Sequence, residues 1–173
     1  LVPGESVAIA VTGSAPVFIW WHVAGVDASG ACPEADEGFL IRRSIETVAG
    51  APVTGPLTQG ALYRVTLALM TDRPIPEVAI MELLPAGVEP ESAELTGALF
   101  GEGESDRLHA TQVERRDDRL VVFADLPEGF SRYRYLVRAV TAGRFALPAA
   151  EAEAMYEPGL RSVNGRSMLE VKP

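Results

Sequence analysis

The sequence of 173 residues contains few of the side chains on which catalytic and metal sites depend. It has one cysteine, Cys32, and two histidines, His22 and His109. One cysteine makes no internal disulfide, and no Cys or His pair has the spacing of a zinc site. The Gly-x-Ser-x-Gly motif of a nucleophile elbow is also absent. We therefore predict no catalytic residue, no metal and no cofactor, and hence that the chain is not an enzyme.

Long apolar runs and an excess of basic residues are missing as well. The longest apolar candidate, residues 17–26, is about half of the ~20 residues needed to cross a bilayer. The 24 acidic residues outnumber the 15 basic ones, which gives a formal net charge of -9. Because nucleic acids and anionic membranes attract clustered Lys and Arg, we expect no nucleic-acid partner and no direct membrane contact. The chain begins without Met and without signal-peptide features, which predicts a fragment of a longer protein.

The sequence is instead dominated by alternation of apolar and polar residues, the pattern of half-buried strands. Loops rich in Pro and Gly separate these segments, and residues 91–106 are irregular, with at most the beginning of a helix. Since no long amphipathic helix is present, we predict an all-β antiparallel β-sandwich with extra N-terminal strands and at most a short helix. The predicted strands are residues 7–11, 17–23, 39–45, 63–69, 78–84, 108–114, 120–124, 133–140 and 168–171.

Residues 149–154 allow two interpretations. Ala and Glu are strong helix formers, whereas their strict alternation after Pro148 is typical of a strand. The next two residues, Met155 and Tyr156, are large and apolar and lead straight into a Pro/Gly break. Such a pair either belongs to the core, with Met155 capping it and Tyr156 packed on the last strand, or lies on a loop where it contacts another surface.

Several motifs of the chain occur together in one known family. The sequence reads Tyr-Leu-Val-Arg-Ala at 135–139, Gly-Arg-Phe-Ala-Leu-Pro at 143–148 and Ala-Glu-Ala-Met-Tyr-Glu-Pro at 152–158. Upstream lie a Leu-Leu-Pro-Ala-Gly turn, with Glu82 in place of the family's usual Asp, and a charged hairpin at 114–120. Over residues 31–173 the chain resembles the C-terminal macroglobulin-like domain of bacterial alpha-2-macroglobulins, large thioester-containing proteins that trap proteases.

The resemblance implies a specific, non-catalytic role. Residues 149–154 would be extended, residues 31–173 would form the C-terminal macroglobulin-like β-sandwich, and residues 1–30 would be the closing strands of a preceding CUB-like domain. Met155 and Tyr156 would cover the thioester of a neighbouring domain, because a thioester survives only while water is excluded. Cys32 has no nearby Gln, so this chain does not form the thioester itself.

The resemblance also implies partners and a location. The partners would be the thioester domain and other macroglobulin-like domains of the same parent chain, together with target proteases that the full-length protein traps. The parent would be a periplasmic lipoprotein anchored in the inner membrane. The alternative function is a ligand- or partner-binding β-sandwich of a cell-surface adhesin, with specificity in the loops at 25–38 and 91–106.

Overall fold

The computed structural model describes residues 8–20, 22, 30–100 and 105–173. The chain divides into two compact units, Leu1–Gly30 and Ala31–Pro173. In the first unit, residues 8–20 and 22 form neither helix nor strand, and Phe18 and Trp20 are 84% and 91% exposed. The extra N-terminal strands predicted at 7–11 and 17–23 are thus not formed in their described parts, because a strand requires a hydrogen-bonded neighbour. The rest of both segments lies outside the described residues, and the CUB-like assignment of 1–30 stays a prediction.

The second unit consists of short strands and one helix of eight residues, α1 (Ala93–Phe100). The all-β prediction with at most a short helix is confirmed. In the described part of the chain the strands are β1 (Ala35–Glu37), β2 (Phe39–Thr47), β3 (Leu57–Thr58), β4 (Leu62–Thr71), β5 (Ile75–Leu83), β6 (Val88–Pro90), β7 (Ala110–Arg116), β8 (Arg119–Leu126), β9 (Gly129–Ala139), β10 (Gly143–Leu147), β11 (Ala150–Ala154), β12 (Arg161–Asn164) and β13 (Ser167–Lys172).

The strands form three sheets. The six-stranded sheet has the order β1-β12-β11-β5-β8-β7 and the four-stranded sheet the order β2-β4-β9-β6. All pairs in these two sheets are antiparallel. A smaller sheet, β10-β13-β3, contains the parallel pair β13-β3. In each larger sheet, one face carries the buried side chains. Successive residues of a strand point to opposite faces, so buried and exposed residues alternate along it, which is the period-2 pattern of the sequence.

The core between the larger sheets is formed by alternate residues of their longest strands. In β4, Tyr63, Val65, Leu67 and Leu69 are all buried, as the alternation predicts. In β11, Ala150, Ala152 and Ala154 are buried while the intervening glutamates are exposed. The extended interpretation of 149–154 is therefore confirmed, because the alternating burial of a sheet position outweighs the helix propensity of Ala and Glu.

Two regular elements contain residues that disfavour them. Pro76 has no N–H to donate to a ladder, yet it lies in β5, whose register shifts between Ile75 and Val78. A bulge of this kind accommodates a residue that has no N–H to donate. Helix α1 forms in spite of Gly97 because Ser92 caps it: the Leu95 N–H donates to Ser92 Oγ at 3.2 Å.

Candidate functional site

The predicted site residues Met155 and Tyr156 lie at the end of β11, in the turn that leads to β12. The Met155 N–H donates to the carbonyl oxygen of Glu77 at 2.9 Å, and the Ala154 N–H donates to that of Leu160 at 2.9 Å. The first bond ties the pair to the bulged part of β5, where Glu77 has a positive φ of 50°. The backbone at Ala154 and Met155 is thus hydrogen-bonded to both neighbouring segments, while the side chains of Met155 and Tyr156 extend outward.

The sequence after the pair explains why the chain turns here. Pro158 cannot donate to a ladder, and Gly159 adopts a φ of 111°, a region that favours glycine. The Leu160 N–H closes the turn by donating to the carbonyl oxygen of Glu157 at 3.0 Å. An ion pair at 2.8 Å between Glu157 and Arg73 connects the turn to the loop before β5. The turn is therefore held in position by contacts that leave the apolar pair uncovered.

Neither member of the pair belongs to the core of this unit. Met155 is 46% exposed and Tyr156 is 76% exposed. A core cap would be largely buried, so the alternative in which Met155 covers the core and Tyr156 packs on the last strand is wrong. Large apolar side chains held outward on an ordered turn are typical of a contact surface. Whether that surface covers a thioester is not tested by its exposure and stays a prediction.

The two larger sheets are joined by a buried ion pair that sequence reasoning missed. Arg43 Nη1 donates to Glu82 Oε1 at 2.9 Å, and the two side chains are 4% and 2% exposed. The hydroxyl of Tyr135 donates to the same carboxylate oxygen at 2.9 Å. Arg43 lies on β2, Glu82 on β5 and Tyr135 on β9, so one cluster links both sheets. We call these three residues the buried triad.

Burial determines the protonation behaviour of the buried triad. Loss of solvent raises the pKa of Glu82, although the charge and hydrogen bonds of Arg43 and the hydroxyl of Tyr135 oppose this rise. Burial and the neighbouring Glu82 carboxylate together raise the pKa of Tyr135 well above its ordinary value. Tyr135 therefore remains a protonated donor, and its hydroxyl is held to Glu82.

The buried triad also fixes the start of the strand that carries Met155. Arg43 Nη2 donates to the carbonyl oxygen of Pro148 at 2.7 Å, two residues before β11 begins. Glu82 is the register partner of Ala150, the first residue of that strand. Because a five-residue strand extends roughly 17 Å, anchoring its first residue sets where Met155 and Tyr156 emerge at the other end.

The remaining candidate residues of the sequence do not form a site. The thiol of Cys32 is free and half-buried, and the carbonyl oxygen of Cys32 accepts the N–H of Arg166 at 3.1 Å. His22 and His109 are both exposed. Among the residues that the structure describes, no group of three His, Cys, Asp or Glu side chains is placed to hold a metal ion. Nor do those residues include a helix long and apolar enough to span a membrane.

These features define a class of protein module: a β-sandwich with an ordered, outward-facing apolar turn, suited to contact with another protein surface. Residues 38–159 match the family described as the bacterial alpha-2-macroglobulin MG10 domain. The chain belongs to this family, which is non-catalytic. The resemblance inferred from the motifs is thereby confirmed, and so is the prediction that the chain is not an enzyme.

Individual relatives agree with this assignment. The alpha-2-macroglobulin of Xylella fastidiosa strain Temecula1 is 34% identical over 161 residues, which cover 86% of this chain and 10% of the relative. That of Escherichia coli K12 is 26% identical over 179 residues, which cover 94% of this chain and 11% of the relative. The chain thus spans about a tenth of the length of the curated relatives that it matches.

Solved structures show the same fold. The crystal structure of Salmonella alpha-2-macroglobulin reacted with methylamine superposes with a TM-score of 0.73 at 30% identity, covering 84% of this chain and 10% of that one. Escherichia coli alpha-2-macroglobulin activated by porcine elastase gives a TM-score of 0.73 at 29% identity, covering 81% of this chain and 14% of that one. Each similarity covers most of the strands described above.

Proposed function

We propose that this domain holds a parent alpha-2-macroglobulin in its resting state and shields the thioester of a neighbouring domain with Met155 and Tyr156. The observation that carries the proposal is the exposure of this pair, 46% and 76%, on a turn whose backbone is fixed. An aromatic ring excludes water over a large area, its hydroxyl can satisfy a polar neighbour, and Met adapts to an irregular surface. In a parent alpha-2-macroglobulin, the thioester domain would be the surface against which this pair packs.

The proposal extends to the whole protein. Target proteases would cleave the parent chain, the domains would rearrange, and the uncovered thioester would link to the protease. Two relatives support parts of this sequence of events: one solved structure is of the Salmonella protein reacted with methylamine, and another is of the Escherichia coli protein activated by porcine elastase. The partners of this domain would then be the thioester domain and other macroglobulin-like domains of the same chain. The adhesin alternative has no such support.

The test is Tyr156→Gly in the full-length parent protein, with thioester loss followed by the thiol that methylamine releases. An aromatic anchor at an interface contributes about 2 kcal/mol or more, so we expect thiol release to accelerate by about 30-fold. Tyr156→Phe keeps the ring and should release thiol at nearly the parental rate. Equal rates for Tyr156→Gly and the parent would remove the shielding role.

A matched pair of methionines controls for the loss of any exposed apolar side chain. Met168 is 56% exposed on β13, comparable with Met155 at 46%. Met155→Ala should accelerate thiol release, whereas Met168→Ala should not.

The same proposal places the parent in the periplasm as a lipoprotein of the inner membrane, and cell fractionation with an antibody to this domain tests that location.

A further inference from the structure

The bulge of β5 contains a backbone conformation that is rare for residues other than glycine. Glu77 has a φ of 50°, and no other non-glycine residue in the described part of the chain has a positive φ. The register of β5 on β8 shifts between Ile75 and Val78, so two residues of β5 lie opposite the single residue Asp125. A left-handed conformation costs free energy for an L-amino acid and persists only where its surroundings hold it. Contacts around Glu77 must therefore hold this conformation.

Two hydrogen bonds hold Glu77, and they point to opposite sides of β5. Its N–H donates to Oδ1 of Asp125 on β8 at 2.9 Å, and its carbonyl oxygen accepts the N–H of Met155 at 2.9 Å. In an extended strand, the N–H and the carbonyl of one residue point toward the same neighbouring strand. The positive φ of Glu77 lets the two groups diverge, so this residue connects β8 to the turn that carries Met155 and Tyr156.

The bond to Met155 lies just beyond the ladder between β5 and β11. The last register pair of that ladder is Val78 with Ala154, and Glu77 and Met155 are the next residues of the two segments. In regular antiparallel pairing, two residues joined in this way exchange both N–H···O bonds, whereas here the N–H of Glu77 is bound to Asp125. The carbonyl of Met155 is therefore left out of this ladder, and the chain turns away from the sheet at the apolar pair.

The bulge also serves the core of the sandwich. Ile75 and Val78 are three residues apart, which would place them on opposite faces of a regular strand, yet both are buried. That role concerns the stability of the whole unit. Glu77 and Asp125 are both exposed, so the hydrogen bond between them lies at the surface. Its local consequence is the placement of the neighbouring Met155.

We propose that Glu77 and Asp125 are positioning residues of the Met155–Tyr156 turn. The Asp125 carboxylate holds the left-handed backbone of Glu77, and the Glu77 carbonyl sets the direction in which the apolar pair leaves β11. The inference rests on the proposed shielding function for its consequence in the parent protein. There, a turn already held in one direction would lose less conformational freedom when it packs against the thioester domain.

Variants at Glu77 test the backbone conformation, because both of its hydrogen bonds come from the backbone and not from the side chain. The readout is hydrogen exchange of the Met155 amide in this chain, followed by NMR. Asn adopts a left-handed conformation more readily than most residues, whereas the β-branched Val disfavours it. We therefore expect Glu77→Asn to keep the parental exchange rate and Glu77→Val to raise it about tenfold. The control Glu151→Val, at an exposed position of β11 with no positive φ, should leave the rate unchanged.

Variants at Asp125 test the acceptor. Asp125→Ala removes the oxygen that binds the Glu77 N–H, whereas Asp125→Asn keeps an amide oxygen in its place. Exchange of the Met155 amide should be about fivefold faster in Asp125→Ala and near the parental rate in Asp125→Asn. Asp117→Ala removes an exposed carboxylate between β7 and β8 and should change nothing. Thermal unfolding shows that each variant is folded, and the Asp125 variants carry the test if Glu77→Val is not.

The same variants in the full-length parent connect the turn to thioester protection. In methylamine, Glu77→Val and Asp125→Ala should release thiol about threefold faster than the parent, and Glu77→Asn and Asp125→Asn at the parental rate. Unchanged Met155 exchange in both Glu77→Val and Asp125→Ala would overturn the positioning role. Parental thiol release in these two variants, where Tyr156→Gly accelerates it, would also overturn it and would leave the shielding function intact. If Tyr156→Gly itself has no effect, the shielding function fails, and Met155 exchange alone decides the positioning role.

Discussion

The buried triad provides the sharpest test of how this domain is held together. In Arg43→Met, the carboxylate of Glu82 keeps only the Tyr135 hydroxyl as a partner and has almost no access to water. Removing one member of a buried ion pair costs about 3–5 kcal/mol, because the remaining charge is left without compensation. We expect this variant to lose that amount of unfolding free energy at pH 7.

The double variant Arg43→Met with Glu82→Leu separates the attraction between the two charges from the cost of removing them from water. Removing both charges leaves no uncompensated ion, and replacing a buried pair by apolar residues of similar volume is often neutral or stabilising. We expect the double variant to lie within about 1 kcal/mol of the parent, so the coupling energy of the pair should reach about 3 kcal/mol or more.

Urea unfolding followed by far-UV circular dichroism is the suitable assay. Both tryptophans, at positions 20 and 21, precede the Ala31–Pro173 unit in the sequence, so their fluorescence is a poor reporter of the sandwich. Parent, both single variants and the double variant should share one m-value, which shows that each unfolds to the same extent. Additive losses in the double variant would refute the reasoning, because two independent positions have no shared interaction to lose.

Two further predictions concern the six-stranded sheet, which contains Glu82 and Ser162. Burial raises the folded-state pKa of Glu82, so its contribution to stability is fully present below the ordinary carboxyl pKa and is lost as pH rises through the folded-state pKa. Glu82→Gln should therefore cost more unfolding free energy at pH 4.5 than at pH 7.5. The opposite trend in urea unfolding would contradict this. Ser162→Ala should cost about 1–3 kcal/mol, because Ser162 Oγ accepts the Ile41 N–H at 2.8 Å and donates to Asp36 at 2.5 Å. Ser44→Ala, at an exposed position, is its control and should unfold at nearly the parental urea concentration.

The strands of the sandwich were predictable wherever one face is buried and the other is not. From Tyr63 to Leu69 every second side chain enters the core, and that burial is written in the sequence as alternation. The short strands β1, β3, β6, β10 and β12 were missed, because runs of two to five residues give little room for alternation. They exist through pairing with distant partners: β12 lies between β1 and β11, and β3 pairs with β13.

The candidate site was found in the sequence by a different signal, the position of an apolar pair directly before a Pro/Gly break. Its exposure was not predictable from the pair alone, since a core cap and a contact surface have the same composition.

The buried triad had a sequence signal that was overlooked. Arg43 occupies an inward position in the alternation of β2, and Glu82 an inward position in that of β5. Opposite charges at core positions of two strands indicate a buried pair.

The amino-acid sequence determined the period of the strands, the turns at Pro and Gly, the acidic surface and the family. These are local or compositional properties, which follow from side-chain chemistry within a few residues. Only the tertiary structure decided that Arg43 meets Glu82 and that Met155 and Tyr156 remain uncovered. Such contacts depend on sheet order and register, which arise from hydrogen bonds between residues far apart in the chain.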